Sequence, residues 1–140
     1  MTIVNTAITA AMAALQGAAP VVSRVRLRPL SSTTLTAVVV RPVSSDVFDA
    51  PDLAGYPYAW NTLIAVECYA RSTSTQAPDA SVDALLADVY SRLMSDPTLG
   101  GSVIVLVPQG LTYDFDADGE QTVCATFTFI ARQRQVGPTL

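Results

Sequence analysis

The sequence predicts an α+β fold, in which a mostly antiparallel sheet of four to six strands carries two helices on one face. Two segments place apolar residues at helical spacing, and several others alternate apolar and polar residues as strands do. The predicted order is helix, hairpin, long loop, strand, helix, and then two or three strands. Half of the 140 residues are hydrophobic and only 14% are charged, so we expect a single domain over residues 1–140 with its own core.

The first segment is predicted to be a helix that ends near Gly17, because Val4, Ile8, Met12 and Leu15 form one apolar stripe. Residues 21–28 then alternate with a period of two, which is typical of a strand. A polar break at 31–34 and a second strand at 35–41 follow. Together, residues 21–41 predict a β-hairpin.

Residues 42–60 are predicted to be a long irregular loop, because prolines and aspartates interrupt the pattern. This stretch also holds four large aromatic residues, namely Phe48, Tyr56, Tyr58 and Trp60. Solvated aromatic rings are unfavourable, so these residues pack either on their own domain or on a partner. Tyr58 and Trp60 are therefore candidate contact residues.

The second half begins with a predicted strand from Thr62 to about Arg71, followed by a helix capped by Asp79 or Ser81. The apolar stripe of this helix is Val82, Leu85, Leu86, Val89, Leu93 and Met94. The run 103–107 predicts a strand that is buried on both faces. A tight turn is predicted at 118–119 and the last strand at about 121–134.

The two cysteines fall on different phases of their strands. Cys68 alternates with apolar residues, whereas Cys124 shares its face with threonines. We therefore expect the two thiols to lie on opposite faces of the sheet and to form no disulfide.

The residue inventory argues against catalysis and against a bound cofactor. The chain has no histidine and no phosphate-cradling glycine loop, and nothing arranges two carboxylates around one substrate. The stretch that starts at Asp114 resembles the first half of a calcium loop, but its twelfth position is Ala125 where a glutamate is needed. We expect no enzyme activity and no metal site.

Composition also narrows the class of partner. A net charge of −4 disfavours sequence-specific nucleic-acid binding. The chain has no apolar run of membrane-spanning length, and its amino-terminal stretch lacks the basic residues of a signal peptide. We therefore expect protein partners.

Two charged segments are candidate protein contacts. Arginines alternate along the strand predicted at 21–28, and carboxylates alternate in the hairpin predicted near 114–120. Each pattern fits either a solvated strand face or a patch that meets another copy of the chain. The candidate contact residues are Arg24, Arg26, Arg28, Asp114, Asp116, Asp118 and Glu120.

Residues 80–134 resemble the tail terminator (tail completion) proteins of tailed bacteriophages. The resemblance lies in the helix end and turn Val89–Gly101, the apolar strand 102–107, the Tyr-Asp hairpin 113–119 and the Thr-Phe-Thr-Phe strand 125–134. It implies a ring, usually a hexamer, that seats on the head-proximal end of the tail tube, stops tube polymerisation and joins the neck. It implies no cofactor, a location in the virion tail, and assembly in the host cytoplasm.

Two other functions stay open at this point. The chain could be another neck or head-completion protein of the same particle, which would also act through binding surfaces alone. It could instead be a small-ligand binding domain with the aromatic loop folded over a pocket.

Overall fold

The computed structural model describes residues 1–24, 35–49, 58–72, 77–115, 122–135, 137–138 and 140, without the side chains of Phe48, Asp49 and Pro78. The chain forms two helices and five strands in the order α1 (Ile3–Leu15), β1 (Val21–Ser23), β2 (Thr36–Asp49), β3 (Ala59–Arg71), α2 (Pro78–Met94), β4 (Val105–Phe115) and β5 (Thr122–Arg134). The α+β prediction is confirmed.

The five strands form one mixed sheet in the order β1-β2-β3-β5-β4. The pairing of β1 with β2 is parallel, and the other three pairings are antiparallel. The strand β3 is therefore central, β5 lies between β3 and β4, and β1 and β4 lie at the two edges.

Both helices pack on the same face of the sheet, as predicted. One core cluster joins Ile8 and Leu15 of α1 and Leu93 of α2 to Val66 of β3 and Phe129 of β5. The stripe predicted for α2 faces this core: Val82, Leu85, Leu86, Val89 and Leu93 are buried, and Met94 is half-buried. Burial of these apolar side chains is the main stabilising contribution to the fold.

The helix ends follow from local chemistry. The Thr2 hydroxyl accepts a hydrogen bond from the Asn5 amide at 3.1 Å and caps α1, and Gly17 adopts a φ of +90° just after its end. Neither Asp79 nor Ser81 caps α2, contrary to prediction. Its N-cap is Ala77, which makes no side-chain capping bond, and Pro78 starts the helix where a missing N–H costs little.

The hairpin predicted at 21–41 is wrong. The strand β1 is only three residues long and pairs in parallel with β2, so that Val21 lies opposite Ala37 and Ser23 opposite Val39. A parallel pairing needs a crossover connection, and residues 24–35 separate the two strands. Alternation of side chains reports a strand but not its direction, which is why the pattern could not separate the two arrangements. Residues 25–34 lie outside the described part.

The loop predicted at 42–60 is wrong at both of its ends, because β2 continues to Asp49 and β3 begins at Ala59. Two irregularities let β2 pass through the proline-containing stretch: the register shifts between Pro42 and Ser44, and again between Val47 and Asp49. Proline is tolerated in a strand at such bulges. Residues 50–57 of the predicted loop lie outside the described residues.

The run 103–107 is not buried on both faces. Val103 and Leu106 are buried, but Ile104 is 52% exposed and Val107 is 39% exposed. The reason is position, since the strand that continues this run is β4 at the edge of the sheet.

The prediction for the cysteines is confirmed. Cys68 belongs to the core under the helices, whereas Cys124 lies with Ala37, Val39 and Tyr69 in a small cluster on the other face. Both thiols are free.

Candidate functional site

The strand β4 presents an exposed apolar row on the helix-bearing side of the sheet. Leu111, Tyr113 and Phe115 lie opposite Phe127, Ala125 and Val123 of β5, which face the helices. The helix α2 packs mainly over β3 and β5. Leu111, Tyr113 and Phe115 therefore stay 37%, 50% and 60% exposed.

A groove runs between this row and the first half of α2. The Tyr113 and Phe115 rings stack with centroids 6.2 Å apart and planes 12° from parallel, and they form one wall. Asp79 and Asp83 of α2 line the other wall with Ala80 and Ala84, around a cavity of about 750 Å³. The groove therefore has an aromatic wall on β4 and an acidic wall on α2.

Aromatic contacts extend this surface along α2. The Tyr90 ring, on the exposed side of α2, lies 5.9 Å from the half-buried Phe127 ring, which in turn lies 5.5 Å from Phe129 in the core. An exposed apolar surface bordered by charges is typical of a protein contact.

The two edges of the sheet differ in their readiness to accept another strand. Within the described residues, no strand pairs with the outer edge of β4, and its stretch 110–115 has no proline or bulge. The outer edge of β2 beyond Val39 carries Pro42 and two bulges, which are features that block strand addition. At the β1 edge, Val21 is 37% exposed and Arg24 is exposed.

The structure places only some of the predicted contact residues. Arg24 follows the end of β1, and Asp114 is exposed on β4, opposite Cys124, on the sheet face away from the helices. The two lie at opposite edges of the sheet and do not meet within one chain. Arg26, Arg28, Asp116, Asp118 and Glu120 lie outside the described residues.

Tyr58 and Trp60 pack against their own chain. The indole Nε1 of Trp60 donates to the Gln135 Oε1 at 3.0 Å, and the carbonyl of Tyr58 accepts from the Gln135 amide at 2.8 Å. Both side chains are half-buried. Their role as contact residues stays a prediction.

Sequence reasoning missed the groove residues Tyr90, Leu111, Tyr113 and Phe115, together with Asp79 and Asp83. The alternation of apolar residues at 111–115 was visible, but alternation alone reads as a buried face. Exposure of that face depends on where α2 lies across the sheet, which the sequence does not specify.

A polar cluster occupies the sheet face opposite the helices. The Arg41 guanidinium pairs with one oxygen of Glu67, and the Tyr69 hydroxyl donates to the other. Burial and the bond to Glu67 raise the pKa of Tyr69 above its usual range. Burial also raises the pKa of the Cys124 thiol, so the neutral, unreactive form dominates near neutral pH. These groups stabilise the sheet and offer no activated nucleophile.

The turn after α2 is held by local hydrogen bonds and left-handed residues. Leu99, Gly100 and Gly101 adopt successive left-handed conformations with φ of +49°, +69° and +83°. The Asp96 carboxylate accepts from the Thr98 hydroxyl at 2.6 Å and from the Gly100 amide at 2.8 Å, and these bonds lower the pKa of Asp96. The turn buries Leu99 and directs the chain from α2 into β4.

The described part of the chain holds neither a cluster of metal ligands nor a membrane-spanning helix. No group of three or more histidine, cysteine or acidic side chains comes together there to hold a metal ion. Of the calcium-loop aspartates only Asp114 is described. Among the described helices, none has the length and apolar character needed to cross a bilayer.

Comparisons with known proteins give structural likeness only. No protein-family model and no curated protein matches the chain. A chain from the structure titled "Virion of native gene transfer agent (GTA) particle" is 17% identical with a TM-score of 0.43, covering 96% of this chain and 92% of that one. A chain from an extracellular contractile injection system, titled as the PVC sheath/tube terminator in its extended state, is 13% identical with a TM-score of 0.42. That match covers 100% of this chain and 60% of the other. Both TM-scores lie below 0.5, so neither similarity assigns a function.

Proposed function

We propose that this chain is a structural tail-terminator protein. Copies of it assemble into a ring, most simply a hexamer, that seats on the head-proximal end of a phage tail tube. The ring stops tube polymerisation and offers its outer face to the neck. The chain would then act in the virion tail after assembly in the host cytoplasm, by binding and without chemistry.

One observation carries this proposal: the chain has two unlike exposed surfaces at opposite edges of one sheet. One surface is the aromatic and acidic groove beside β4, and the other is the arginine-bearing end of β1. A subunit with two different complementary surfaces joins head to tail, and such contacts close into a ring when the rotation allows. A monomeric binding protein needs no such pair.

The resemblance of residues 80–134 to tail terminators supports the same function. The turn at 96–101 in that stretch sets the direction in which the chain enters β4 and so positions the exposed strand. The proposed partners are therefore further copies of the chain, the tail tube protein and a neck protein. We propose no cofactor and no catalytic residue.

The test combines native mass spectrometry with electron microscopy of purified tail tubes. We expect a ring of defined mass that survives dilution, and we expect rings bound at one end of the tubes. Polymerisation of tube protein in the presence of the ring should give shorter tubes than polymerisation without it. A chain that stays monomeric at high concentration and ignores the tubes would refute the proposal. A ring that binds only the neck protein would support the neck function in its place.

A further inference from the structure

We propose that the ring is built by joining sheet edges: the groove and outer edge of β4 in one copy receive β1 and Arg24 of a second copy. The occupant is thus another molecule of this chain, and the sheets of neighbouring subunits become continuous. This inference rests on the proposed ring, and it names the residues that would hold the ring together.

The positions of the two edges exclude a contact within one molecule. Three strands separate β1 from β4, and at about 4.8 Å for each inter-strand spacing the two edges lie about 19 Å apart. The β1 edge of one copy can reach the β4 edge only of another copy. The contact is therefore heterologous, because each subunit contributes a different edge to each of its neighbours.

Strand direction favours this pairing. The strand β1 runs parallel to β2, whereas three successive antiparallel pairings make β4 run opposite to β2. A second copy in the same orientation therefore places its β1 antiparallel to β4. Antiparallel pairing is slightly more stable per residue than parallel pairing.

The two edges also lie at the same level of the sheet. Following the register across the strands, Ser23 is in line with Val39, Glu67, Thr126 and finally Thr112 of β4. Neighbouring copies can thus join with little rise from one to the next. A contact with rotation and no rise closes into a ring, whereas a contact with rise gives a helical fibre.

The side chains on the two edges are complementary in charge. The β4 side of the molecule carries exposed carboxylates at Asp114 of β4 and at Asp79 and Asp83 of the neighbouring α2. The β1 edge carries the exposed Arg24. Arg26 and Arg28 follow Arg24 in the sequence, outside the described residues. In this register Arg24 lies level with Leu111 and Asp114 lies level with Val21, so the opposite charges are neighbours across the contact without being directly opposed. They accelerate association of the two edges.

Alternative pairings are less favourable on the same evidence. A two-fold contact between β4 and β4 would bring the three carboxylates of each copy into one interface, where like charges repel. The outer edge of β2 beyond Val39 is blocked by Pro42 and its bulges.

The test is disulfide trapping between variants at positions that the register aligns. Ser23→Cys and Thr112→Cys are made as two separate proteins. They are mixed under mildly reducing conditions so that the rings exchange subunits, and the mixture is then oxidised. We expect a disulfide-linked heterodimer in the mixture, because directly opposed residues on neighbouring strands meet the Cα separation that a disulfide needs. The native Cys68 and Cys124 are both buried and are present in every variant, so any cross-linking through them is the same in all mixtures. The matched control is Thr9→Cys on the exposed side of α1, which should not cross-link to Thr112→Cys.

Each outcome separates this inference from the proposed function. Cross-linking of Thr112→Cys to itself would show a two-fold β4 contact and overturn the inference. A ring of normal mass without the mixed disulfide would overturn the edge contact and leave the terminator function standing. If the unmodified chain forms no oligomer, both the edge contact and the terminator function are refuted.

A second pair of variants tests the side chains without new cysteines. We expect Phe115→Asp to reduce the fraction of chain in rings at least tenfold at a concentration where the unmodified chain is mostly assembled. Val47→Asp, at a comparably exposed valine on β2 far from the β1 pairing, should leave that fraction unchanged. Arg24→Glu should slow assembly of the ring, because it replaces the positive charge at the β1 edge with a negative one. Equal effects of Phe115→Asp and Val47→Asp would overturn the inference.

Discussion

Substituting alanine for one of two glycines tests the role of the left-handed turn after α2. Gly101 has a φ of +83°, and a Cβ there would meet no atom within 4 Å, so Gly101→Ala introduces backbone strain without a clash. Gly110 does not have a left-handed φ, and a Cβ there would lie 3.6 Å from the Thr128 Oγ1, which is ordinary contact. Both substitutions reduce the freedom of the unfolded chain to the same extent. The comparison therefore isolates the strain.

The expected difference is about 1–2 kcal/mol, the usual free energy of placing a side chain in the left-handed region. With a urea dependence of about 2 kcal/mol per molar, the unfolding midpoint of Gly101→Ala should lie roughly 0.5–1 M below that of Gly110→Ala. Far-ultraviolet circular dichroism measures the midpoints, at two protein concentrations because assembly couples stability to concentration. Equal midpoints, or a lower midpoint for Gly110→Ala, would refute the assignment of the turn.

Three further predictions follow from burial and hydrogen bonding. Phe129→Ala removes a fully buried ring and should lower the free energy of unfolding by about 3–5 kcal/mol in urea titrations. The loss should be smaller for Phe127→Ala, because the Phe127 ring is half-buried. The reverse order would contradict the core described above. The folded-state pKa of Asp96 lies below its unfolded value near 4, so its contribution to stability is present above about pH 4 and is lost as the pH falls through the folded pKa. Unfolding midpoints of Asp96→Asn should therefore fall less on acidification than those of the unmodified chain, and identical pH profiles would contradict this role. Burial raises the pKa of Cys68 to about 12 and raises that of Cys124, so thiol reagents should label both only after unfolding; rapid labelling of the native chain would show that one thiol is accessible.

The sequence predicted the elements whose side chains have a clear period. Both helices, the strand from 62 and the strand near 121–134 were found because apolar residues recur on one face and the core covers that face. The opposite placement of Cys68 and Cys124 followed from the same alternation. In these segments local pattern and tertiary burial agree.

The predictions failed where the answer depends on a distant element. The parallel pairing of β1, the continuation of β2 through Pro42 and the edge position of β4 are all set by which strand lies beside which. Side-chain alternation carries no such information. Exposure of Tyr113 and Phe115 was missed for the same reason, since it results from α2 lying over β3 and β5. Charge patterns identified Asp114 and Arg24, but not that they occupy opposite edges.

The position of β5 between β3 and β4 has a consequence for how the molecule is made. The chain synthesises β4 before β5, yet β4 pairs only with β5 among the described strands, and β3 also waits for β5 along most of its length. Until residues 122–134 leave the ribosome, the edges of β3 and β4 that pair with β5 stay unpaired. Nascent chains with unpaired strand edges tend to aggregate. Slow translation or early termination before this segment should therefore yield insoluble nascent chains, whereas prompt release lets the last strand enter between its two partners.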